Sequence, residues 1–340
     1  MATRIDFHTH YLSRAAEGFD APSPSWPRLT VDDAGCGQLT RDGVAFRDVD
    51  ARSWDANRRI TDMDAAGIDL QVLSPLPATF AYEFDAAVTA RFARLQNDAI
   101  AEVVRARPDR FAGLGAVALQ DPDAACAELE RATGALGLAG IEIGTHAGGR
   151  DLTDPAFDAF WQRCDALRAL VFVHPENAPG FERLRAARLA FAAGYPSESG
   201  LCAASLIMTG LVARFPRVRF VFAHGGGTLP WLLPRLDAVW SAYPDVRESG
   251  ARRPSDAART LWYDTLTFDA ENLRVLAERA GTDRLVVGSD YPFLMQEEPP
   301  GATVLACEAF DDAARDAMRG ENASALLRRA VRSSERAART

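Results

Sequence analysis

The sequence predicts an α/β protein, a (β/α)8 TIM barrel with a small lid insertion after its first strand. Two observations point there. Eight short apolar runs alternate with helical patterns, the signature of βα units wound into a parallel sheet. Histidines and an aspartate then stand directly after several of those runs, at the strand ends where barrel enzymes keep their sites.

The runs, in order, are Ile5–Phe7, Leu70–Leu73, Phe111–Val117, Gly140–Ile143, Leu170–Val173, Arg219–Ala223, Leu261–Asp264 and Leu285–Val287. Between them, Ser53–Ala66 reads as a helix that opens on a polar cap and stops at Gly67. Asp121–Leu136 carries Pro122 at its first helical position and ends near Gly137. Asp154-Pro155 opens another helix the same way, and Ser197–Phe215 reads as an apolar helix closed by Pro216. The stretch from about Ser13 to Asp48 breaks the rhythm with Pro22, Pro24, Pro27, Gly35 and Gly37. Its Asp42-Gly43 pair signals a hairpin turn. Placed after the first strand, this insertion suits a lid over the mouth; the alternative is a disordered surface loop. Residues 1–330 are assigned to one barrel domain that includes the 13–48 insertion, and the Ser/Arg/Ala-rich 331–340 to a tail of disordered character.

Composition bounds the chemistry. Apolar residues make up 48% and charged residues 25% of 340, enough for a large core. The formal charge of −9 argues against a nucleic-acid or anionic-membrane surface. All 38 basic residues are arginine, so a lysine Schiff base, a P-loop lysine and a carboxylated lysine bridging two metals are excluded. Cys36, Cys126, Cys164, Cys202 and Cys307 form no C-x-x-C pair, which suits buried thiols in a reducing compartment. No apolar run reaches the roughly 18 residues of a membrane span and no signal-peptide pattern is visible, so a cytoplasmic location is expected.

The chemistry concentrates in five histidines. His8 and His10 lie two apart after the first run, so a strand turns both to one side. His174 follows the fifth run, His224 the sixth and Asp290 the eighth. Three imidazoles and a carboxylate suit Zn2+ or a similar divalent ion with one position left for water, whose pKa the ion lowers. A further histidine beside the ion supplies a mobile proton. His224 is assigned that part, because Gly225, Gly226 and Gly227 leave room for substrate next to it. His146, after the fourth strand, is expected behind the ligands or in a structural role.

Several longer motifs then align. Asp6-Phe-His8-Thr-His10, Ser53-Trp54-Asp55, Met63-Asp64, Gly140-Ile-Glu-Ile-Gly-Thr-His146, Phe172-Val-His174-Pro175, Phe222-Ala-His224-Gly-Gly-Gly227 and Gly288-Ser-Asp290-Tyr-Pro-Phe293 run over nearly the whole chain. Together they resemble the 2-amino-3-carboxymuconate 6-semialdehyde decarboxylase family, in the amidohydrolase-related branch. The resemblance implies Zn2+ on His8, His10, His174 and Asp290, with His224 activating water. It also implies substrate-carboxylate contacts from Arg47 and Arg235, with Phe293 as a further substrate-binding residue. Arg235 would reach the neighbouring subunit's site, and hence a homodimer is implied. Read alone, Arg235 fits a surface ion pair with Asp237. The chain departs from the family where Glu176-Asn177 follows His174-Pro175, a place where tryptophan is common. Glu176 is therefore a candidate substrate contact for an amine or hydroxyl, or else a solvent-facing or capping residue.

The expected activity is a zinc-dependent carboxy-lyase reaction, non-oxidative decarboxylation of an unsaturated or aromatic carboxylic acid. The alternatives are a hydrolase or hydratase on the same metal, and a binding barrel that has lost turnover.

Overall fold

The structure, a computed structural model, describes residues 3–176, 180–184 and 186–328. The tail assigned to 331–340 and Asn177 lie outside the described residues. The strands are β1 (Ile5–Tyr11), β2 (Arg28–Val31), β3 (Cys36–Arg41), β4 (Val44–Asp50), β5 (Leu70–Pro75), β6 (Phe111–Gly115), β7 (Gly140–Ile143), β8 (His146–Ala147), β9 (Arg150–Asp151), β10 (Leu170–Val173), β11 (Arg219–Phe222), β12 (Trp262–Asp264) and β13 (Leu285–Val286). Eight of them pair in parallel in the order β1-β5-β6-β7-β10-β11-β12-β13. Backbone bonds from Phe7 N to Val287 O (2.7 Å) and from His10 N to Tyr291 O (2.7 Å) join the last strand to the first. The eight apolar runs are these eight strands, and the (β/α)8 barrel is the fold.

Alternation explains how the strands fill the barrel. Ile5, Phe7, Val72, Leu114, Leu170, Phe172 and Val221 are buried together in one apolar cluster. The residues between them on β7 and β10, Ile141, Ile143, Val171 and Val173, join the larger cluster under the helices. The β1–β5 register shifts between Asp6 and Thr9. That irregularity lets Ile5 and Phe7 fill the barrel while His8 and His10, of the other parity, also turn toward its mouth.

The helices follow local capping chemistry, with some departures from expectation. In α1 (Ala56–Ala66) the cap is Asp55, not Ser53, and it accepts from Asn57 N and Arg58 N. Gly67 ends α1 at φ 67, the left-handed stop that the sequence signals. A 21-residue helix α2 (Ala86–Ala106), capped by Asp85, adds to the elements expected from sequence. α3 (Pro122–Glu130) passes into a wider turn over Arg131–Ala135 instead of running regularly to Leu136. α4 (Asp158–Leu167) follows a short turn at Pro155–Phe157. The single helix expected over Ser197–Phe215 is two, α5 (Tyr195–Met208) and α6 (Leu211–Arg214). Gly210, at φ 76, separates them; a Cβ there would meet Ser249 O at 2.8 Å.

The insertion is ordered rather than a loose loop. β2, β3 and β4 form an antiparallel sheet, and Asp42 (φ 51) and Gly43 (φ 74) make its tight turn. Leu29 and Leu39 pack with Trp26, Leu76 and Phe92, which seats the sheet on the segment after β5 and on α2. Helix α7 (Leu229–Ala242) follows β11. Among the described residues no helix is long and apolar enough to cross a membrane.

Candidate metal centre

Each ligand candidate stands at the mouth because the strand beneath it is anchored in apolar core. His8 and His10 close β1, every residue of which is buried. His174 follows the buried run Leu170–Val173, and Asp290 follows β13. One ligand atom from each of His8, His10, His174 and Asp290 lies within 4.8 Å of the others. His10 Nε2 is 3.0 Å from Asp290 Oδ1 and 3.1 Å from His8 Nε2, and His8 Nε2 is 3.3 Å from Asp290 Oδ1.

The outer ring nitrogens fix which lone pairs face inward. His8 Nδ1 donates to Asp264 Oδ2 (2.6 Å), His10 Nδ1 to Pro75 O (3.2 Å) and His174 Nδ1 to Pro175 O (2.8 Å). All three assigned tautomers therefore leave Nε2 as an acceptor pointing at one place. His174 Nε2 is buried with no hydrogen-bond partner among the described residues. Three acceptor nitrogens and a carboxylate crowded together are mutually unfavourable, and a divalent cation among them resolves the conflict. The residues fit a single metal ion.

The electrostatics point the same way. Burial would raise the Asp290 carboxyl, but the His10 and His8 rings against it outweigh that and hold the group well below the carboxylate range. Burial works against a charge on His8, yet Asp264 and Asp290 lift it to about 10. Burial takes His10 down to about 4 and His174 well below its ordinary value. A cluster that pulls a proton this strongly pulls a dication at the same point, with proton release on binding.

His224 stands beside the cluster rather than in it. Its ring centroid is 5.0 Å from that of His174 and 5.4 Å from that of His8, and its Nε2 is 4.0 Å from Asp290 Oδ2. Burial lowers its pKa, so the ring is ready to accept a proton near neutrality. The three glycines after it do not open space for substrate, contrary to expectation. All three have positive φ, and a Cβ would meet Thr267 at 2.8 Å from Gly225, Tyr263 at 2.7 Å from Gly226 and Pro196 O at 1.8 Å from Gly227. They permit a tight turn against filled surroundings. His224 and Asp290 share that strain, at φ 58 and 66.

Asp264, at the end of β12, holds the ligands and this turn together, and it has no role in the sequence reading. Its Oδ2 accepts from His8 Nδ1 and from His224 N (2.9 Å), while Oδ1 accepts from Gly225 N (2.7 Å). The signal for it was a carboxylate ending the seventh run, the position that His174 and His224 mark elsewhere. Gly288 allows the close approach, since a Cβ there would stand 2.5 Å from His8 Cβ. Two more buried groups complete the support. Asp6 accepts from Ser289 N (3.0 Å) and Oγ (2.6 Å), which fixes the Asp290 loop. Arg59 donates to His10 O (2.8 Å) and Thr9 Oγ1 (2.9 Å) under the Tyr291 ring.

The remaining predicted residues divide. Phe293 stacks on His10 at 5.0 Å, and the Arg47 guanidinium lies 4.3 Å from the Phe293 ring centre. Arg47 makes no ion pair among the described residues, so its fork is free for an anion at the mouth. Glu176 is nearly buried and lies 3.5 Å from Arg41, with burial and Glu83 pushing its carboxyl up to about 8. Arg235 is exposed on α7, away from these groups in its own chain. It does not pair with Asp237, which Arg253 and Ser255 occupy. His146 lies in the β8–β9 ladder, outside the cluster.

Residues 5–329 match the amidohydrolase family model. The chain is 32% identical over 337 residues to 2-amino-3-carboxymuconate-6-semialdehyde decarboxylase of Dictyostelium discoideum, covering 95% of this chain and 91% of that protein. Its fold is similar to that of 5-carboxyvanillate decarboxylase from Sphingomonas paucimobilis, with a TM-score of 0.79, 26% identity and coverage of 96% and 99%. Dihydroxybenzoic acid decarboxylase from Polaromonas sp., whose structure is described with bound manganese, shares the fold at TM-score 0.76, 24% identity and coverage of 96% and 97%. The chain belongs to the amidohydrolase family.

Proposed function

We propose that the chain is a metal-dependent, non-oxidative decarboxylase of an unsaturated or aromatic carboxylic acid. The observation that carries this is one mouth that combines a four-residue ligand cluster, a separate histidine and an unpaired arginine. The decarboxylases among its relatives support the same reading.

His8, His10, His174 and Asp290 would hold one divalent ion, with Zn2+ favoured by three imidazoles and one carboxylate. Bound there, the ion supplies Lewis-acid polarisation of a substrate oxygen. Arg47 grips a carboxylate of the substrate through its planar fork, and Phe293 supports the guanidinium. His224, unprotonated at rest, takes a proton from water or a substrate hydroxyl and delivers it to the carbon that bears the scissile carboxylate. That C–C bond then breaks, CO2 leaves, and the electron pair restores the conjugated system. Asp264 keeps His224 and His8 in mutual register throughout.

The insertion sheet, which carries Arg47, acts as the lid of this site. Arg235 completes the site of a second copy in a homodimer, which its exposure and its lack of an ion pair among the described residues permit. Five free cysteines accord with a reducing, cytoplasmic setting. The test is His224→Ala: metal content stays near one per chain while CO2 release is abolished. Undiminished release would sink the assignment, and a product heavier by water would indicate a hydratase or hydrolase instead.

A further inference from the structure

A second cavity of about 330 Å³ is lined by the loop after β7 and by Glu176. Tyr82, Glu83, Thr145, His146 and Glu176 give it a polar lining, and glycine backbone supplies the rest. Arg41, on the insertion sheet, bonds Glu83 at 2.6 Å and lies 3.5 Å from Glu176. It also donates to Ala78 O at 3.2 Å. One guanidinium thus serves two carboxylates, and the pair retains an excess of acceptor oxygens. Tyr82 Oη is buried beside the Gly144 backbone, and Thr145 Oγ1 is buried beside Glu198. The cavity adjoins the metal centre through its wall residue Glu176, which is two residues beyond His174.

The lining discriminates between ligands. A second carboxylate would face Glu83 and Glu176, with Arg41 already engaged. An alkyl group would cover the nearly buried Glu176 carboxyl and cut it off from water. An amino group offers several N–H donors to the carboxyl oxygens of Glu176 and Glu83.

We propose that this cavity is a second substrate subsite, and that Glu176 selects a substrate bearing an amino group remote from its scissile carboxylate. The inference rests on the carboxylic-acid reading above and narrows its substrate class. Glu83 supports Glu176 by taking the shorter contact with Arg41, which leaves the Glu176 oxygens open to a second donor.

Calorimetric titration of the full chain, loaded with one equivalent of Zn2+, tests this without need of turnover. The probes are 3- and 4-aminobenzoate and 3- and 4-(aminomethyl)benzoate. Each is set against its methyl, hydroxyl and carboxylate counterpart at the same ring position. At least one amine should bind about tenfold or more tightly than its methyl counterpart, with the dicarboxylate weakest. In Glu176→Gln that advantage should fall below about threefold, while the methyl acid and the metal content are unchanged. Glu83→Gln, at an exposed position, should shrink the advantage partly and guards against misfolding of the first variant. Equal binding of amine and methyl, preference for hydroxyl or carboxylate, no binding at all, or an advantage that survives Glu176→Gln overturns the proposal. CO2 release followed in parallel separates the two readings. Release without amine preference defeats only the subsite, and amine preference without release from any acid defeats only the decarboxylase.

Discussion

The two walls of the barrel mouth are built differently. On one wall, His8, His10, His174 and Asp290 project from strand ends or from the turns just after them, and their outer nitrogens are held by Asp264, Pro75 O and Pro175 O. On the other, Arg41 and Arg47 come from the insertion, Glu83 from the segment before α2 and Glu176 from the loop after β10. The first wall is rigid because every member is tied to the barrel's buried core. The second is assembled from separate loops, which tolerate change. On the proposed function, chemistry belongs to the fixed wall and selectivity to the variable one.

The division predicts a graded series. His10→Ala should empty the metal site and lower turnover by roughly 10³ or more, the loss of several kcal/mol of Lewis-acid stabilisation. Metal analysis beside a CO2 assay checks it, and retained metal would show that the cluster is not the site. Asp264→Asn should weaken metal affinity by about 10- to 100-fold, read by chelator competition, because it removes the acceptor that sets the His8 tautomer. Wild-type affinity in that variant would mean the His8 orientation comes from packing alone.

On the variable wall the effects should be smaller. Arg47→Ala should lower kcat/KM by about 10- to 100-fold with metal content intact, the cost of one charged contact. Arg235→Ala should lower activity about 10-fold in its own homodimer, yet mixing with inactive His224→Ala subunits should raise it to about a quarter of wild type if each site borrows from its partner. No recovery in the mixture breaks the shared-site reading. Val44→Ala, in the exposed turn of the insertion, should change stability by less than about 0.5 kcal/mol in denaturant unfolding.

The same division decides what could be read from sequence. Barrel strands are short apolar runs, and His174 and His224 announce themselves by following such runs directly. Asp264 also ends a run, but its value lies in meeting His8, 256 positions away, and no local pattern shows that. The Arg41–Glu83–Glu176 cluster is hidden for the same reason, since three distant segments make it. Other differences are local misreadings. The Asp85 cap of α2 and the break at Gly210 were both visible signals. The glycines after His224 looked like open space because the sequence does not show Pro196, Tyr263 and Thr267 filling it.

The central claim is that the fixed wall holds one metal ion on His8, His10, His174 and Asp290. Elemental analysis of the full chain purified without chelators, alongside His174→Ala, tests it most directly. The account predicts about one divalent ion per wild-type chain and a near-complete loss in the variant. Less than about a tenth of an ion per wild-type chain, or an unchanged ion in His174→Ala, would contradict it.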